Sequence, residues 1–140
     1  MDSYSELLEV VNRPGRFATH SGVTITRIEG REAEGRLTIR PETLNPMGIV
    51  HGGALVTLAD TVAGCAAFTC GRVCVTLDCN MQYLAPGTGS YIHCHAIPKK
   101  LGKTILVYDA ILTNDQGQTV ATGTYTFFAK DIKVEDFSPR

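Results

Sequence analysis

The segment from Gly52 to Phe68, "GGALVTLADTVAGCAAF", is apolar on almost every face of the helix that its Ala and Leu content favours. A helix with apolar residues all round is a buried helix, and Gly71 marks its end. It is too short to span a membrane, since no apolar run in the chain approaches the ~18 residues that a span requires, and Asp60 interrupts it near its middle. Whatever folds around this helix must cover it from more than one side. A single sheet covers one side only, so a second subunit is expected against the other.

The remaining segments supply the sheet. Val23 to Ile28 and Arg36 to Arg40 alternate apolar and polar residues around a Glu29-Gly30-Arg31 turn, the pattern of a hairpin. Pro41 to Gly48 is rich in turn formers. After the helix, "RVCVTLDCNMQYLAPGTG" forms a long strand that stops at Pro86-Gly87. Its alternation places Val75, Leu77, Cys79, Met81 and Tyr83 on one face and Cys74, Thr76, Asp78, Asn80 and Gln82 on the other. Further strands are expected over Ser90 to Pro98, Thr104 to Thr113 and Gln118 to Lys130, the last two joined through "TNDQGQ". Consecutive hairpins imply an antiparallel sheet, and a sheet wrapped on one helix is an α+β domain. Ser5 to Val11 suits a short amphipathic helix that ends at Pro14-Gly15. The 140 residues are read as one domain, with residues 1–20 as an N-terminal helical extension.

Composition narrows the partners. A formal net charge of −1 lacks the basic footprint of a nucleic-acid binder. The acidic, amphipathic N-terminus is unlike a signal peptide. Five cysteines, an odd number without a CxxC pair, argue against a disulfide framework or zinc knuckle and suit free thiols in a reducing cytoplasm. His93 and His95 share a strand face but lack further spaced ligands, so no metal site is expected.

Asp60 then needs an explanation, because burying a carboxylate costs several kcal/mol unless it is paired. It is either a satisfied structural acid, bonded to a backbone group or to Thr61, or a base or nucleophile tuned by its surroundings. His51, Gly52 and Gly53 stand at the helix start, where free N–H groups make an oxyanion-type site. Helical rise sets His51 ~13 Å and Gly53 ~10 Å from Asp60 along the axis. Both ends acting on one atom therefore requires two chains, with the helices antiparallel side by side. The glycines alone would equally suit a tight turn, and His51 a backbone cap.

"NPMGIVHGGALVTLAD", "VTLDCNMQYLAPG" and "LGKTILVYDAILTNDQGQTVATGTYTFF" together resemble the hotdog-fold acyl-CoA thioesterases, in the branch of the phenylacetic-acid-degradation thioesterases. The resemblance spans about Ile28 to Lys130. It implies an antiparallel sheet wrapped around the central helix, a homodimer with continuous sheets, and dimers pairing into tetramers. It also implies an acyl-CoA substrate and no metal or redox cofactor. By position, the family's catalytic acid falls on Asp60, the carbonyl-polarising amide on Gly53 or Gly52, and the loop residues on Asn45 and His51. The assisting hydroxyl falls on Thr76, although strand alternation turns that residue away from its own helix, so that it serves a partner's site, is turned back by a bulge, or is structural.

Within that reading Asp60 activates water or attacks the thioester directly, while Asn45 orients the water and His51 holds the loop or hydrogen-bonds the carbonyl. Lys99, Lys100 and Lys103 form the best local cationic cluster and are candidates for the CoA phosphates. Val62, Ala63 and Ala66 are expected near the acyl group. A hotdog enoyl-CoA hydratase and a non-catalytic acyl-CoA-binding protein are the alternatives.

Overall fold

A computed structural model describes residues 4–137. The elements are α1 (Tyr4–Val11), α2 (Phe17–His20), β1 (Val23–Glu29), β2 (Glu32–Thr38), α3 (Gly52–Phe68), β3 (Arg72–Tyr83), β4 (Tyr91–Leu101), β5 (Ile105–Asn114) and β6 (Thr119–Lys133). The strands form one sheet in the order β1-β2-β4-β5-β6-β3, every neighbouring pair antiparallel. The sheet curls around α3, the hotdog arrangement expected from the sequence. β2 begins four residues earlier than the alternation of Leu37 and Ile39 suggests, because Ala33 and Gly35 also face the core and pair with β4. Among the described residues, no helix is long and apolar enough to cross a membrane.

Alternation in the middle of the sheet sends Cys94, Ala96, Leu106, Tyr108, Ala110, Tyr125 and Phe127 inward, all essentially without solvent contact. They meet Leu58, Ala59, Val62, Ala63, Ala66 and Ala67 of α3. The alanines let the strand side chains come close, and Gly35 of β2 does the same from the other side. A Cβ on Gly35 would lie 2.8 Å from Val62 Cγ2 and 2.9 Å from the Thr24 carbonyl. The helix ends where Gly71 takes a left-handed φ of 87° and returns its N–H to the Phe68 carbonyl at 3.0 Å.

This packing leaves one stripe of α3 outside the sheet: Gly53, Thr57, Asp60, Thr61 and Gly64 are exposed or half-buried. The helix is therefore buried on three sides rather than all round, and its uncovered stripe is made of small and polar residues. α1 packs on β1 and stands off from α3. It is held at both ends. Tyr4 Oη donates to the Gly30 carbonyl at 2.8 Å. At the other end the Asn12 side chain acts as a surrogate strand partner for Ile25, accepting from its N–H and donating to its carbonyl, both at 2.8 Å.

Candidate active site

The start of α3 is built by His51. It sits at the N-cap with extended backbone, and its Nδ1 accepts the Gly53 N–H at 2.8 Å. An imidazole that accepts at Nδ1 carries its proton on Nε2. His51 thus does the job of a capping side chain. In this arrangement the Gly53 amide is engaged, while the Gly52 amide has no hydrogen-bond partner among the described residues. The oxyanion-type donor expected at Gly53 is occupied by the neighbouring histidine until something displaces it.

Midway along the same helix Asp60 accepts a hydrogen bond from Thr76 Oγ1 at 2.8 Å on its Oδ1. Thr61, considered as its structural partner, instead bonds back to the Thr57 carbonyl. The alternation of β3 turned Thr76 away from the helix, and the structure corrects that reading. In the pairing of β3 with β6, Thr76 lies opposite Phe127 and Asp78 opposite Thr126, so Leu77 is an extra residue. This bulge reverses the parity of the strand. Cys74 and Thr76 face α3 before it, and Cys79, Met81 and Tyr83 take that same side of the sheet after it, where Tyr83, still half open to solvent, donates from Oη to the Gly52 carbonyl at 3.3 Å. Val75 and Leu77, assigned by the sequence to the same face as Cys79, point outward and are 43% and 56% exposed.

Asp60 and Thr76 stand at a cleft of about 350 Å³ between α1 and α3. Leu7, Val10, Val11, Phe68, Phe127 and Phe137 give it apolar walls, with Thr61 and Gly64 on the helix side. Cys65 and Cys74 also line it. Burial pushes the Cys65 thiol up to about 12. Burial and the neighbouring Cys70 push Cys74 to about 12 as well. Neither is a thiolate nucleophile at neutral pH. Among the described residues, Asp60 is the one acidic side chain lining the cleft. Tyr125 was not anticipated. It is fully buried, its hydroxyl donates to the Val56 carbonyl at 3.4 Å, and burial with the charges of Cys79 and Asp60 raises its pKa, so the phenol stays neutral.

A carboxylate held by one hydroxyl stands at the rim of an apolar cleft, on the open stripe of a helix whose N-terminal amides lie two turns away; a carboxylate and free amides are the kinds of group that ester and thioester hydrolysis can use. The family model described as the thioesterase superfamily matches residues 47–121, from just before α3 to the start of β6. The acyl-coenzyme A thioesterase PaaI of Escherichia coli is 33% identical over 101 residues, covering 71% of this chain and 72% of PaaI. The chain belongs to the thioesterase superfamily. Its reaction class is thioester hydrolysis. The solved structure of the E. coli PaaI protein superposes with a TM-score of 0.86 at 25% identity, covering 93% of this chain and 95% of that one. A hypothetical thioesterase of Streptococcus pneumoniae, solved with coenzyme A, superposes with a TM-score of 0.77 at 26% identity and covers 84% of this chain and 94% of its own.

The other residues singled out in this thioesterase fall in different places. Asn45 spends its side-chain oxygen on the loop, accepting the N–H groups of Met47 at 2.9 Å and Ile49 at 3.3 Å. Lys99 lies 3.8 Å from Asp109, and Lys100 and Lys103 are exposed around the β4–β5 turn. None of the three lines the cleft beside Asp60. Val62, Ala63 and Ala66 are buried against the sheet and take no part in the cleft, whose helix wall is Thr61, Gly64, Cys65 and Phe68. His93 and His95 bond Glu34 at 3.0 Å and Glu32 at 2.7 Å across β2 and β4.

Proposed function

We propose that this thioesterase hydrolyses acyl-CoA thioesters to the free acid and CoA, with Asp60 as the base or nucleophile. The observation that carries the reading is the 2.8 Å bond from Thr76 to Asp60 Oδ1 at the rim of the apolar cleft. Thr76 fixes one carboxylate oxygen and leaves the other for chemistry. Water, or the carboxylate itself, adds to the thioester carbon, the C–S bond breaks, and the departing CoA sulfur takes a proton. Along the direct route an anhydride with Asp60 forms first and water then cleaves it. The carbonyl oxygen is received at the start of a partner's α3, where it replaces the His51 imidazole as acceptor of the Gly53 N–H, with Gly52 as a second donor. Asn45 lies on that same partner loop and presents its amide to the thioester. The coenzyme A bound to the Streptococcus pneumoniae relative supports the nucleotide half of the substrate. Lys100, exposed near the end of β4, and Lys103, exposed in the turn that follows, are suited to hold its phosphates.

The two-chain site rests on the spacing along α3 and on the edge strand β3, which exposes Val75, Leu77 and Tyr83 and is paired on one side only. A homodimer joined there, pairing further into a tetramer, completes both sites.

The test is a panel of acyl-CoA esters with release of free thiol as readout, run on the wild type and on Asp60→Asn. Wild-type hydrolysis with kcat lowered about 10²- to 10⁴-fold in the variant, and CoA-ester binding kept, supports the reading. Binding without hydrolysis in the wild type would leave a binding protein, and hydration of an enoyl-CoA without thiol release would leave a hydratase.

A further inference from the structure

The cleft beside Asp60 is closed by parts of the chain that lie outside the segment the family model matches. The family match covers residues 47–121, whereas the roof is made by Leu7, Val10 and Val11 of α1 and by Phe137, just after the short helical turn Val134–Asp136. Of α1 only Leu7 is buried; Leu8 and Val11 pack against the edge of the core, and Val10 and Val11 stay half-open and line the cleft. The double anchorage at Tyr4 and Asn12 nonetheless fixes α1 over the cleft. A helix tied down at both ends while its apolar side faces a cavity is placed to contact a ligand.

We infer that α1 and Phe137 form the ceiling of the acyl pocket and set its selectivity, and that the acyl group is an uncharged hydrocarbon of medium size, aliphatic or aryl. The inference rests on the acyl-CoA reading given above and names the substrate class for it. Volume sets the size, because about 350 Å³ is at the small end of ligand pockets. Chemistry sets the polarity. Away from Asp60, Thr61 and Thr76 the walls are Leu, Val and Phe with two neutral thiols, and none of those side chains would pair a second carboxylate or satisfy a ring hydroxyl. The pocket discriminates by removal of methylene-sized volume, and Gly64 marks where such volume is open. A Cβ placed there would find its nearest neighbour, Phe127 Cε1, at an ordinary 3.8 Å, so a methyl group enters the cleft without disturbing the fold.

Val10→Trp lowers the roof and Gly64→Ala narrows the wall. kcat/KM is measured for acetyl-, hexanoyl-, octanoyl-, phenylacetyl-, palmitoyl- and succinyl-CoA. Binding of a non-hydrolysable octanoyl thioether of CoA is measured in parallel by calorimetry. The wild type is expected to favour hexanoyl, octanoyl or phenylacetyl over succinyl and palmitoyl. Val10→Trp should cut the octanoyl-to-acetyl ratio, and the thioether affinity, by about tenfold or more. Gly64→Ala, which is safe for folding, should move both readouts in the same direction. Unchanged ratios in both variants, or a wild-type preference for succinyl-CoA, overturn the inference and leave the hydrolase reading intact. Thioether binding that weakens in the variants while no ester is hydrolysed supports the pocket and removes the hydrolase reading instead.

Discussion

Thr76 meets Asp60 with a single hydroxyl, and that bond holds the carboxylate against rotation. The restraint is lost in Thr76→Ala and kept in Thr76→Ser, which retains the oxygen. Thr76→Ala is therefore expected to lower kcat about tenfold or more with little change in KM, and Thr76→Ser to restore most of the loss. Steady-state kinetics on one acyl-CoA ester decides it, and equal damage from both replacements would mean that the methyl group, not the hydroxyl, was required. How this pair was hidden in the sequence is instructive. Asp60, His51 and the glycines belong to one local stretch, and the 3.6-residue period relates them directly. Thr76 depends on the parity of β3, and one extra residue, Leu77, reverses that parity. Nothing in "VTLDC" distinguishes a bulged strand from a regular one, because the bulge is settled by pairing with β6.

At the level of elements, the legible parts were those with their own period. The long helix, the strands and their hairpins follow from alternation and turn residues. The side of α3 that meets the sheet did not, since a helix with apolar residues on nearly every face offers no contrast. Val62 and Ala63 looked as suitable for an acyl group as Gly64 and Cys65 until the sheet chose between them. The role of α1 was likewise invisible, because amphipathicity reports an apolar face without saying what lies beneath it. Connections also carry testable energetics. Asp115, in the β5–β6 turn, accepts from Ser90 N–H at 2.9 Å and from Ser90 Oγ at 2.8 Å, fastening that turn to the start of β4. The Ser90 amide, then its hydroxyl, hold the Asp115 carboxyl below its ordinary 3.8. A carboxyl depressed in the folded state stabilises fully above its unfolded pKa and loses that contribution as pH falls through the folded value. The melting-temperature gap between wild type and Asp115→Ala is thus expected to be constant from pH 7 to about 5 and to shrink below about pH 4. A gap that stays the same down to pH 2.5 would assign the stabilisation to something other than the charged acceptor.

At the scale of the whole molecule, the proposed site makes one chain the holder of two half-sites that it cannot use together. Gly53 and Asp60 lie on the same stripe of α3, with the sheet closing the other sides, and two turns of helix separate them by about 10 Å. A thioester is far smaller than that span between its carbonyl oxygen and the atom that attacks it. An antiparallel second α3 laid on the small, polar stripe brings the amide end of each helix to the acid of the other, and Thr57, midway between them, is narrow enough to permit close approach. Mixing then separates a shared site from a single-chain one. Gly53→Val crowds the amide end, where any Cβ already meets His51 Nδ1 at 3.0 Å, and Asp60→Asn removes the acid. Each variant alone is expected to be nearly inactive. In hybrids made by co-expression with two affinity tags, one of the two sites combines both defects and the other has neither. Purified hybrids should therefore regain a substantial part of wild-type kcat with an unchanged KM. If the reaction ran within single chains, every chain of a hybrid would still carry one defect, and the activity would stay at the level of its parents.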